Sequence, residues 1–84
     1  MNYPINVVTI HPYFKVHPGK MEAAQGLLRR FVEKTQLEPA CLFYEFTLNG
    51  DEVFCREGYV GAEGVQAHLG NVGALLDEML TLSD

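Results

Sequence analysis

Basic side chains, cysteines and long apolar runs are all scarce in this sequence, and each shortage removes a class of function. Six Lys and Arg stand against eleven Asp and Glu, a net charge of -5. That is the wrong sign for a phosphate backbone, and no basic patch with interleaved aromatics offsets it, so a nucleic-acid partner is not expected. No apolar stretch approaches the roughly 20 residues that a membrane-spanning helix needs, so no membrane is expected either. The opening residues Met1 to Asn6 hold no basic region leading into an apolar block. The reading there is no secretory signal and a cytoplasmic location. In that compartment the two cysteines, Cys41 and Cys55, are expected as free thiols. His11, His17 and His68 have no Cys or carboxylate at ligand spacing, and Pro18-Gly19-Lys20 is a turn rather than a phosphate loop. Neither a metal nor a cofactor is expected.

What the sequence does have is apolar periodicity in a short chain. With 84 residues, 48% of them apolar, it reads as one folded domain over residues 1-84, small enough that a partner subunit would help to stabilise it. The segment Cys41 to Leu48 meets Asn49-Gly50, a strong hairpin signal, and Asp51 to Val60 reads as the returning strand. With Asn49 and Gly50 as the loop, Leu48 faces Asp51, Phe46 faces Val53, Tyr44 faces Cys55, Leu42 faces Glu57 and Cys41 faces Gly58. One face then carries Leu42, Tyr44, Phe46, Leu48, Val53, Cys55, Glu57 and Tyr59, an apolar floor with polar groups toward one end. The other carries Cys41, Phe43, Glu45, Thr47, Phe54, Arg56 and Val60, too apolar for water and too charged for a core.

Val7 to Val16 reads as the first strand, with Pro12 marking an edge or a bulge. Lys20 to about Gln36 carries the stripe Met21, Ala24, Leu27, Leu28, Phe31 and Val32 of an amphipathic helix, ended by Glu38-Pro39. Gly61 to Leu82 reads as a second helical region with Val65, Leu69, Val72, Leu75, Leu76, Met79 and Leu80 inward. Its glycines predict a break near Gly70-Asn71 and two shorter helices. The order is strand, helix, strand, strand, helix: an α+β, ferredoxin-like split βαβ arrangement without its last strand.

Val16-His17-Pro18-Gly19-Lys20, Glu38 to Glu45, Arg56-Glu57-Gly58-Tyr59 and Ala67-His68 together resemble the antibiotic biosynthesis monooxygenase domain, a dimeric α+β barrel family. The resemblance covers Val7 to Leu80. It implies a homodimer packed sheet to sheet, here through Phe43, Glu45, Phe54 and Arg56, with ligand bound between sheet and helices. Implied activities are cofactor-free oxygenation of phenols and quinols, haem degradation and sugar-phosphate isomerisation, so the fold alone does not choose among them. Three departures stand out: Tyr59 replaces the family's usual Trp, Ala40 its usual Gly, and the family's last strand is missing. With Pro12 at the position of an Asn that the haem-degrading branch uses, only His68 matches that branch's trio. The missing strand leads to the expectation of a longer natural protein, or of a partner strand along Val7 to Val16.

His68 falls on the apolar stripe of the second helix, where a hydrogen-bonded core histidine is the competing reading. The resemblance implies a cavity-facing histidine there. Glu57 shares the apolar face with Tyr44 and Tyr59, and reads either as a partly desolvated site carboxylate or as a rim ion-pair partner. The tyrosines would stack on a planar ligand if they are not simply core. The resulting expectation is a cofactor-independent monooxygenase acting on a small aromatic quinol or polyphenol. His68 would be the base, Glu57 its orienting partner, and Tyr44 and Tyr59 the substrate contacts. The alternative is a non-catalytic small-ligand-binding or regulatory domain, followed by an isomerase or a haem-degrading enzyme.

Overall fold

The computed structural model describes residues 6–84. Residues 1–5, on which the reading of no secretory signal mostly rests, lie outside the described residues. The elements are β1 (Val7–Ile10), β2 (Tyr13–Lys15), α1 (Met21–Thr35), β3 (Cys41–Asn49), β4 (Glu52–Val60) and α2 (Gly61–Leu82). All strand pairings are antiparallel. The central strand is β4, flanked by β1 and β2 along one side and by β3 along the other. Both helices lie on one face, and Phe14, Val16 and Val53 of the sheet layer pack with Leu28 and Phe31 of α1 and Val72, Leu75 and Met79 of α2 in one core. This is the α+β, ferredoxin-like arrangement.

The first strand is broken where Pro12 withholds a donor: β1 stops at Ile10, and Cys55 N–H donates instead to the Pro12 carbonyl at 2.9 Å. The hairpin register differs from the expected one by two residues. Asn49 pairs with Glu52, Phe46 with Cys55 and Tyr44 with Glu57, so Gly50 and Asp51 form the loop, and Gly50 takes the positive φ of 64°. Side chains alternate with period two, so a two-residue slip changes every partner and no face. The exception is at the strand start. An irregularity between Cys41 and Phe43 sets Cys41 opposite Tyr59 and leaves Leu42 about half exposed, so Leu42 is not part of the apolar floor.

The second helix is continuous over its 22 residues, against the expected break at Gly70-Asn71. Burial of Val72, Leu75 and Met79 holds it together, and Asn71 ties it to the end of α1 by donating to the Lys34 carbonyl at 3.0 Å. Leu69 and Leu80, expected inward, are 47% and 53% exposed. The edge expected to be bare is partly covered. His17 N–H donates to Leu82 O at 2.8 Å and Asp84 N–H to Lys15 O at 2.9 Å, so residues 82–84 run beside the end of β2.

Two glycines of α2 have opposite surroundings. A Cβ on Gly64 would lie 3.0 Å from Tyr59 Cβ and 3.1 Å from Ala40 Cβ, whereas one on Gly70 meets nothing within 4 Å. Gly64→Ala should therefore destabilise by about 1–3 kcal/mol, and Gly70→Ala should stabilise by about 0.5–1 kcal/mol, as read from urea midpoints. The helix-free sheet face carries the Arg56–Glu45 pair at 3.4 Å, with Arg56 over the Phe43 ring at 5.3 Å and Phe54 40% exposed. We propose this face as the homodimer interface. Light scattering at micromolar concentration should then give twice the 9.4 kDa chain mass, and a monomer would contradict it.

Candidate functional site

The inward face of β4 alternates Cys55, Glu57 and Tyr59, all buried. Opposite them α2 places His68 one turn after Gly64, whose missing side chain lets the helix start close against Tyr59 and Ala40. A third element closes the group: Glu38, in the turn between α1 and β3, reaches the far side of the imidazole. His68 Nδ1 lies 2.9 Å from Glu38 Oε2, and Nε2 lies 3.3 Å from Glu57 Oε1. The three side chains are only 4%, 9% and 3% exposed, in the order His68, Glu38, Glu57. Asn71 donates to Glu38 Oε2 at 2.8 Å, the Cys55 thiol donates to Glu57 Oε2 at 3.3 Å, and the Tyr59 hydroxyl donates to Glu57 Oε1.

Nδ1 shares a hydrogen bond with Glu38, whereas Nε2 meets Glu57 only as an ion-pair contact, so the imidazole lies between the two carboxylates with a carboxylate beside each ring nitrogen. The carboxylate that also meets the cavity is Glu57. Around it the neighbouring acids are held in their neutral forms. Burial, reinforced by the Glu57 charge, raises the Cys55 thiol and the Tyr59 phenol, and burial raises the Tyr44 phenol, all well above their ordinary ranges. Burial also raises the Cys41 thiol, with Glu38 and Glu57 adding to it.

Glu57 and His68 form the polar end of a cavity of about 60 Å³ whose other walls include Ile10, Phe14, Phe31 and Tyr44. Half-exposed Leu69 stands at its rim. Tyr44 packs against His68 at 5.2 Å between ring centroids, and Tyr59 against the same ring at 5.0 Å. The structure thus brings together His68, Glu57, Tyr44 and Tyr59, the four residues singled out from the sequence. It adds Glu38, which the sequence marked as a helix stop before Pro39 and as part of the stretch resembling the family but not as a site residue, and Asn71, marked only as a break. A loop carboxylate 30 residues from its histidine leaves no spacing signal. Among the described residues no cluster of His, Cys, Asp or Glu is arranged to hold a metal ion, and no helix is long and apolar enough to cross a membrane.

No family model matches the chain, and no curated protein does. Solved structures do match, and among them is one named antibiotic biosynthesis monooxygenase, with a TM-score of 0.82 at 20% identity over 92% of this chain and 85% of that one. The resemblance read from Val7 to Leu80 is thereby supported, and the fold is that of the antibiotic biosynthesis monooxygenase structures. A structure of MupZ from Pseudomonas fluorescens is 37% identical, with a TM-score of 0.88. The alignment covers 94% of this chain, which spans 65% of the length of that one. Rv0793 from Mycobacterium tuberculosis matches with a TM-score of 0.85 at 21% identity, over 92% of this chain and 83% of that one.

The raised thiol and phenols fix the sign of a pH dependence. Unfolding frees Cys55, Tyr44 and Tyr59 to ionise in their ordinary ranges, so the unfolded state binds fewer protons than the folded one above about pH 8.5–10. Stability should be complete below that range and fall as pH rises through it. Urea midpoints at pH 8, 9.5 and 10.5 check this, and Tyr59→Phe should flatten the decline.

Proposed function

We propose that this protein is a cofactor-independent monooxygenase that oxidises a small quinol or polyphenol with dioxygen, working as a cytoplasmic homodimer. The observation that carries the reading is the placement of Glu57. Its carboxylate ends an apolar cavity, backed by His68 and Glu38, on a fold shared with structures named as monooxygenases. Glu57 takes the proton of a phenolic hydroxyl, and Tyr59 and His68 hold the acid so formed in place. The phenolate passes one electron to dioxygen, and the radical pair joins to a peroxide. That peroxide recovers a proton and loses water, leaving a quinone carbonyl. Substrate hydrogens leave as water, so no external reductant is needed. The apolar walls keep competing water away from the anion. Tyr44 and Tyr59 serve as the aromatic contacts of the substrate.

One observation favours the second reading, a non-catalytic ligand-binding domain: His68 is already held on both sides by carboxylates, as in a structural ion-pair chain. Oxygen uptake with a panel of hydroquinones separates the two. An enzyme consumes oxygen in proportion to protein, and Glu57→Gln, which keeps the shape and removes the base, should slow turnover by about 10²–10⁴-fold. No uptake with any quinol that binds would leave the binding domain.

A further inference from the structure

A cavity of about 60 Å³ holds a few water-sized groups and not an aromatic ring system, for which pockets of about 300 Å³ and more are usual. A second cavity, of about 210 Å³, lies between the end of α1 and the start of β3. It is lined by Thr35, Glu38 and Cys41, and by Tyr44, which also lines the first cavity. Tyr44 is thus the one aromatic wall common to both. Glu38 faces the second space while its carboxylate holds His68, which faces the first, so the ion-pair chain runs between them as well.

Thr35, on the wall of the second cavity, is 2% exposed, and its hydroxyl makes no well-formed hydrogen bond among the described residues, its polar neighbour being the Tyr44 hydroxyl. An unmade hydrogen bond on a buried hydroxyl is costly, and such a group is satisfied by whatever polar atom enters beside it. Tyr44 packs edge-on to Phe46 at 5.3 Å between centroids and tilted against His68, and its hydroxyl meets only the neutral side chains of Thr35 and Cys55, one on the wall of each cavity. Rotation about its side-chain bonds therefore breaks no ion pair. Such a rotation would open the space lined by Glu57 to the space lined by Thr35.

We propose that Tyr44 is the partition that sets ligand size in this site, and that the joined chamber takes a neutral, flat molecule with a hydroxyl at each end. One hydroxyl meets Glu57 and the other Thr35. The inference rests on the proposed quinol substrate and narrows it to a ring system with oxygens at opposite ends.

The test is binding, so it stands apart from turnover. Under anaerobic conditions, 2-naphthol and 2,6-dihydroxynaphthalene are titrated into the wild-type protein and into Tyr44→Ala, Tyr44→Phe and Thr35→Val by calorimetry, with NMR shifts locating the site. The diol should bind the wild type at least tenfold more tightly than the mono-ol. Thr35→Val should erase that preference while leaving the melting temperature of the free protein unchanged or higher, because the buried hydroxyl it removes makes no well-formed hydrogen bond. Tyr44→Ala should tighten both probes about tenfold, and Tyr44→Phe, which keeps the wall, should leave them near wild type. The proposal is overturned if the preference survives in Thr35→Val, if Tyr44→Ala binds no better than Tyr44→Phe, or if neither probe binds wild type or Tyr44→Ala. Oxygen consumption plays no part in these outcomes, so a loss of the monooxygenase reading leaves them interpretable.

Discussion

Two carboxylates and an imidazole buried together are the constraint on which the rest of this structure turns. Glu38, Glu57 and His68 come from a loop, the central strand and the second helix, and each is less than a tenth exposed. Breaking a buried ion pair by removing one partner typically costs about 3–5 kcal/mol, a large share of the stability of a small domain. The three elements are therefore held in one relative placement by a polar contact as well as by packing. Gly64 has to be small for α2 to start that close, Asn71 has to hold Glu38, and Tyr59 and Cys55 have to donate to Glu57. A purely apolar core of the same volume would be easier to stabilise than this cluster.

The same cluster explains why the site is asymmetric. On one side lie apolar walls from both helices and the sheet. On the other lie Thr35 and Cys41, with Tyr44 lining both spaces. Glu57 sits in a buried setting whose thiol and phenol neighbours, Cys55 and Tyr59, are raised well above their ordinary ranges by that burial.

Much of this was legible in the sequence because it depends on period. Alternation along Tyr44, Phe46, Cys55, Glu57 and Tyr59 sorts the faces even though the register is off by two, since both the real and the expected pairings preserve parity. Helical spacing alone places His68 with Val65 and Val72. Three features were not legible, each for a physical reason. The irregularity that moves Leu42 outward depends on how β3 begins beside Gly58 and Tyr59, which no local pattern encodes. The continuity of α2 comes from tertiary burial overriding glycine propensity. Glu38 enters the site through a turn whose direction is set by where α1 stops, so a residue that reads as a helix end becomes half of an ion-pair chain.

Nitrogen NMR of the His68 ring tests whether Glu38, bonded at Nδ1, and Glu57, paired at Nε2, act with His68 as one unit. With ring ¹⁵N shifts assigned, Glu38→Gln should move chiefly the Nδ1 resonance and Glu57→Gln chiefly the Nε2 resonance, and neither should leave His68 resembling the exposed His11. A His68 whose two nitrogens ignore both replacements, with shifts and exchange like those of a solvent-exposed ring, would contradict the account.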